Sequence, residues 1–171
     1  AQAHGRRASQ HPDKLVFAAL KAGQSQMCYD GQNFFDTDHP VYPKHDGTGV
    51  ATTVSNLDYD PKRPDPSWYL LDTSNIIKPI ICQKRKEVEL TAMTKLDDES
   101  VFMLDLFRWG ARARHNVGYG FWQMAYKSNK PLTPESLNAA IAHMQSQTAD
   151  GGRKLDINPS LLVVPPALRA K

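Results

Sequence analysis

The chain has 171 residues, 40% of them apolar, and a formal charge of +3 from 21 basic and 18 acidic side chains. A chain of that length buries roughly 70% of its unfolded surface and needs no disulfide or structural metal to fold; so small a charge names neither nucleic acid nor an anionic membrane as partner. No apolar run approaches the ~20 residues of a membrane-spanning helix, the opening AQAHGRRASQHP is too polar for a secretory signal, and Cys28 and Cys82 make no disulfide or zinc framework, so composition reads as a soluble intracellular globular domain with free thiols.

The first residues are already helix-like without an initiator methionine, and LLVVPPALRAK ends on what reads as the opening of another helix. Both ends therefore look cut, as in a piece of a longer polypeptide. A helix is expected over 12–22: Pro12 suits its first position, Asp13 complements the dipole, Leu15, Val16, Ala19 and Leu20 form one apolar face, and Gly23 stops it. Residues 24–49 form a long loop of successive turns, pinned by Phe34, Phe35 and Tyr42.

Strands are expected at 50–54, 68–71, 76–82 and 88–93, with Pro79 placing the third on an edge or at a bulge. VFMLDLF, at 101–107, reads as a deeply buried strand. Its continuation alternates Arg108, Arg112 and Arg114 on one side with Trp109, Ala111 and Ala113 on the other. The best-specified helix is 134–147, capped by Thr133, with Leu137, Ala140, Ile141 and Met144 as its apolar stripe. DGG at 150–152 is a turn, and 161–165 a buried strand stopped by Pro165 and Pro166. The order of elements indicates an α+β fold with a mixed or antiparallel sheet rather than repeated βαβ units.

Complete catalytic motifs are missing. The loop 30–46 holds Asp30, Asp36, Asp38, His39, His45 and Asp46, which could converge on a metal and serve a metal-dependent hydrolase or nuclease. However, Val41 and Gly47 stand where a calcium loop starting at Asp36 needs Gly and Glu, and no zinc spacing is present. The alternative is that these acids build turns on their own backbone. Cys28 with His39 and Asp46 makes only an imaginable triad. Gly118 and Gly120 lack the third glycine of a dinucleotide fingerprint and read as bulge or close-approach positions. No catalytic, cofactor or metal residue is assigned.

The most informative side chains are Arg108, Trp109, Arg112, Arg114, Phe121 and Trp122, candidates for a contact between subunits, where arginine and aromatic residues are enriched. The arginines could instead hold nucleic-acid backbone beside stacking aromatics. His115 and His143 have no evident partner.

The strings CYDGQNFFDTDHP, WYLLDT, KPIICQKRK, RWGARARHNVGYGFWQMAY and INPSLLVVPPALRA, in this order over nearly the whole chain, resemble the major head subunit of Mu-like bacteriophages and prophages. The resemblance implies the Hong Kong 97-type capsid fold of tailed phages. In that fold a spine helix and sheet make a peripheral domain, and an axial domain surrounds the capsomer axes. By it, 12–22 is the end of the spine helix, while 30–46, 134–147 and 161–165 belong to the axial body. Residues 1–171 are then a single α+β capsid-type domain without the N-terminal arm, the extended loop and the C-terminal end of the family. The implied function is a non-enzymatic structural subunit of an icosahedral head, made in the bacterial cytoplasm and residing in the virion. Its implied partners are copies of itself in hexamers and pentamers, a scaffold or maturation protease, and packaged DNA contacted without sequence reading; no cofactor and no membrane are implied.

Overall fold

The computed structural model describes residues 2–169. The chain divides into two compact units: residues 1–20 with 82–118, and residues 21–81 with 119–171.

The first unit carries helices α1 (Gln2–Ser9) and α2 (His11–Ala22, whose last two residues belong to the second unit). On α2, Leu15, Val16, Ala19 and Leu20 are shielded, the stripe expected from their i, i+1, i+4, i+5 spacing, as are Pro12 and Ala22 near its ends. The other parts of the first unit come from strands β5 (Ile80–Met93) and β6 (Arg108–Tyr119), up to the unit's bounds, and from the segment joining them, which carries helix α3 (Glu99–Leu104).

In the second unit β1 (His39–Val41) pairs antiparallel with β2 (Thr52–Val54). A separate sheet is built from β3 (Leu57–Asp58), β4 (Trp68–Leu71), β7 (Ala125–Ser128) and β8 (Leu161–Val163), in the order β3-β7-β4-β8. β3 runs parallel to β7, while β4 is antiparallel to both β7 and β8, so the sheet is mixed. Helix α4 (Pro134–Gln145) covers one face. Its start is closed by a reciprocal box: the Thr133 hydroxyl accepts from the Ser136 amide, and the Ser136 hydroxyl accepts from the Thr133 amide.

Trp68 and Leu70 of β4 meet Ala140 and Met144 of α4, with Ile157 and Leu168 closing the cluster. On the opposite face Tyr69 packs against Phe35, which makes an edge contact with Phe34, and both phenylalanines are fully buried. Buried Asn56 ties the long loop to the strands: its amide donates to the carbonyls of Phe34 (2.8 Å) and Trp122 (3.1 Å), and its oxygen accepts from the Asp36 amide (3.0 Å). Gly23 follows α2 for want of space. A Cβ there would lie 2.6 Å from the Phe35 ring.

Three expectations need correction. Residues 76–82 and 88–93 are not two strands. One long strand, β5 (Ile80–Met93), begins after Pro79, whose carbonyl accepts from the Gly120 amide at 2.9 Å. Residues 101–107 are not a buried strand but include helix α3 (Glu99–Leu104), on which Phe102, Met103 and Leu104 are exposed; an apolar run without alternation does not distinguish helix from strand. The strand at 161–165 is shorter and lies at the sheet edge, leaving Leu161 and Leu162 partly open.

Trp68→Ala empties the centre of the α4-side core. It is expected to cost about 3–5 kcal/mol, read as a lower denaturant midpoint at unchanged slope.

Candidate assembly surface

In the first unit β5 pairs with β6 (Arg108–Tyr119) as an isolated two-stranded ribbon. On the first-unit part of β6 the odd positions from Ala113 to Val117 are half-shielded and the even positions open, so one face of the strand is covered there. His115 stacks on His11 of α2, with ring centroids 5.6 Å apart. From Arg108 to Arg112 both faces are exposed, as they are at the end of β5 from Glu89 to Met93. The outer part of the ribbon therefore stands bare, and α3 sits at its tip. Phe102 is 78% exposed, Met103 69% and Trp109 51%. Arg108, Arg112 and Arg114 lie on the open, even-numbered face, and none forms an ion pair among the described residues. The structure thus brings four of the six sequence candidates together on this ribbon. The apolar tip was missed, because the run 101–107 was read as core.

The other two candidates lie in the second unit and differ. Trp122 is 1% exposed and stacked on His39 at 4.0 Å, so it is a core residue and a correction to the expected contact set. Phe121 is partly open and meets exposed Tyr29 edge-on at 5.7 Å, while the Tyr29 hydroxyl pairs with the Gln123 side chain. Beside them, the segment from Asp72 to Lys78 is held from several directions. Buried Asp72 accepts from the Ser74 amide (2.8 Å) and hydroxyl (2.6 Å), the Asn75 side chain (2.9 Å) and the Asn158 amide (2.9 Å). The Lys78 ammonium donates to the carbonyls of Thr73 and Asn75, and Thr73 bonds Ser160. Burial pushes the Asp72 carboxyl up, but the Ser74, Asn158 and Asn75 donors outweigh it and hold the group below the usual carboxylate range.

The acidic loop sets Asp36 and Asp38 side by side as a hydrogen-bonded carboxylate pair, which lowers the Asp36 carboxyl and raises that of Asp38, but among the described residues neither joins a cluster of three or more acidic, His or Cys ligands. Asp36 accepts from Asn33 and Thr37, and Asp46 accepts from the Thr48 amide and hydroxyl, which is turn chemistry. Asp30, not Asp46, is the partner of His39: His39 Nδ1 donates to Asp30 Oδ2 at 2.7 Å, and the Cys28 thiol donates to Asp30 Oδ1 at 3.0 Å. These three donor atoms lie within 4.8 Å of one another, joined by hydrogen bonds through the carboxylate. Burial, and then the bond to Asp30, raise the Cys28 thiol to about 12, so it stays protonated and is no nucleophile. His143, without an evident partner in sequence, bonds the Ser55 carbonyl at 2.6 Å.

The whole chain, residues 1–171, matches the family described as Mu-like prophage major head subunit gpT. The chain belongs to that family. It is 47% identical over 167 residues to the major capsid protein of Escherichia phage Mu, covering 98% of this chain and 55% of that protein. It is 49% identical over 166 residues to the Mu-like prophage FluMu major head subunit of Haemophilus influenzae, covering 96% and 54%. The chain thus spans about half the length of the curated relatives it matches. Among solved structures it superposes on the procapsid of bacteriophage JBD30 with a TM-score of 0.87 and 58% identity, over 99% of this chain and 56% of that one. On the JBD30 capsid the TM-score is 0.75 with 37% identity, over the same shares. The Mu-like head-subunit family therefore sets the fold: an α+β phage capsid fold. No helix among the described residues is long and apolar enough to cross a membrane.

Two outcomes are expected. Alkylation of Cys28 in the native protein at pH 8 should run at least a hundredfold slower than that of a free cysteine, measured by mass spectrometry of the labelled peptide, because thiolate sets the rate. The Asp72 carboxylate contributes stability above its unfolded pKa of about 4, a contribution lost as pH falls through the lower folded value. Protection of the Ser74 amide against hydrogen exchange should accordingly hold at pH 6 and drop below pH 3, and Asp72→Asn should lower it at pH 6 and abolish the drop.

Proposed function

We propose that this chain is part of a structural shell subunit, which assembles with copies of itself into a phage head enclosing packaged DNA, and that the bare ribbon is a principal contact between copies. What carries the reading is the ribbon's own physics. A two-stranded ribbon is marginal in water unless something covers a face, and this one ends in an exposed helix with apolar side chains on it. Patches of that kind on a single chain mark interaction surfaces. Arg108, Arg112 and Arg114, open and in no ion pair among the described residues, suit carboxylates or backbone carbonyls of a neighbour, and Trp109 supplies flat apolar area. The JBD30 procapsid and capsid structures support self-association of this fold into shells.

In this reading the first unit corresponds to the peripheral part, with α2 as the end of the spine helix, and the second to the axial body, the two making one capsid-type building block. Hexamers and pentamers, a scaffold or maturation protease, and sequence-independent contact with DNA belong to the same proposal. A net charge of +3 fits a surface that meets DNA without gripping it tightly. The virion is the proposed location, and no enzymatic step is invoked.

The full-length polypeptide, expressed in bacteria, should form shells or capsomers visible by electron microscopy. The double variant Phe102→Asp with Met103→Asp should keep its unfolding midpoint, since both side chains are already in water, yet lower the yield of assembled particles about tenfold or more, as for loss of a contact hot spot. Particles at full yield from that variant would remove the ribbon tip from the contact.

A further inference from the structure

The segment 72–78 combines two properties that seldom coincide. Its backbone is tightly restrained by the Asp72 carboxylate, the Lys78 ammonium and Ser160, yet the side chain it displays, Ile76, is 100% exposed. Ordering a loop opposes conformational entropy, and an isoleucine left wholly in water gains nothing from burial. A rigid loop with an apolar side chain at its crest is how a binding anchor looks before its partner arrives, because little freedom is left to lose on docking.

The surroundings identify the partner. No residue from Thr73 to Ile77 is charged, and the Lys78 ammonium is engaged by two carbonyls of the loop itself. A nucleic-acid contact needs free cations facing phosphate, so this crest does not suit DNA. The apolar surface continues past Ile76: Ile77 is partly open, and its Cγ2 would lie 3.4 Å from a Cβ on Gly120, next to Phe121 and its partner Tyr29. Gly120 is required for that arrangement, since a Cβ there would meet the Lys78 carbonyl oxygen at 2.1 Å. Rings of identical subunits close through head-to-tail contacts, in which a projection on one copy meets a different surface of the next.

We propose that the loop Asp72–Lys78 is a preformed docking knob, anchored by Ile76 and flanked by Ile77 and Phe121, that seats on a second copy of this chain in the assembled shell. The proposal rests on the shell-subunit reading and adds a contact in the second unit, separate from the ribbon.

The test uses the full-length polypeptide. Ile76→Asp should leave the unfolding midpoint unchanged, because the side chain is already wholly in water, and lower the yield of particles about tenfold or more. Ile76→Leu should assemble as the parent does, and Asp72→Ala, which frees the loop while keeping its apolar crest, should give an intermediate loss. A photo-crosslinking residue at position 76 should join two copies of this chain in particles and none in dissociated subunits. Normal assembly by Ile76→Asp, or a crosslink to a different virion protein, overturns the knob while the shell reading stands. If the parent polypeptide forms no capsomer or shell under any of these conditions, the shell reading fails and the knob with it.

Discussion

Strand β4 turns Trp68 and Leu70 toward α4 and Tyr69 toward the long loop, and each face of the sheet thereby acquires its own apolar partner. The period-two alternation of a strand makes this a rigid constraint, since a slip of one residue would exchange the two sets. Pairing with β7 on one side and β8 on the other fixes the register, so three segments far apart in sequence are set by four residues. The long loop, although irregular, is held as firmly as the strands. Phe34 and Phe35 occupy the second core, and Asn56 satisfies backbone groups that would otherwise be buried without partners. Lys127 shows how closely that side is packed: its burial lowers its affinity for a proton, and its ammonium lies over the rings of Phe35, Tyr59 and Tyr69.

The two units obtain stability differently. The second has a layered core with a capped helix, and its surface features are projections from a rigid body. In the first, much of the ribbon has water on both faces. A protein that must remain monomeric shields or shortens such an element. The proposed shell subunit can leave it open, since in that reading the complement is supplied by another copy. The same logic covers Arg108, Arg112 and Arg114, which form no ion pair among the described residues.

The parts of the fold legible in the sequence were those fixed by local rules. Thr133, Pro134 and the stripe from Leu137 to Met144 define α4 without tertiary help, and WYLL at 68–71 coincides with β4. Of the two glycines expected at bulge or close-approach positions, Gly120 is a close approach to the Lys78 carbonyl, whereas Gly118 has open space around its Cα. Residues 101–107 misled because hydrophobicity normally signals burial, and nothing local says that Phe102, Met103 and Leu104 stay in water. Trp122 misled in the opposite sense: tryptophan beside arginine-rich sequence suggested a contact, while its true partner, His39, lies 83 positions away. Likewise the acids of the 30–46 loop gave up their chemistry only with the backbone in view, where most of them close turns.

The ribbon also bears on the subunit before it finds a partner. Two strands have two unpaired edges, open to any extended peptide that adds to them. Along the shaft, KRKE from Lys84 to Glu87 places charge on those edges, with Lys84 beside Glu87 and Lys86 beside Glu89. At the tip, Asp97, Asp98, Glu99 and Asp105 flank the exposed Phe102 and Met103 with acidic charge. In the proposed shell subunit, mixed charge along the shaft and mainly acidic charge around the tip therefore limit indiscriminate stacking of newly made chains before each meets another copy.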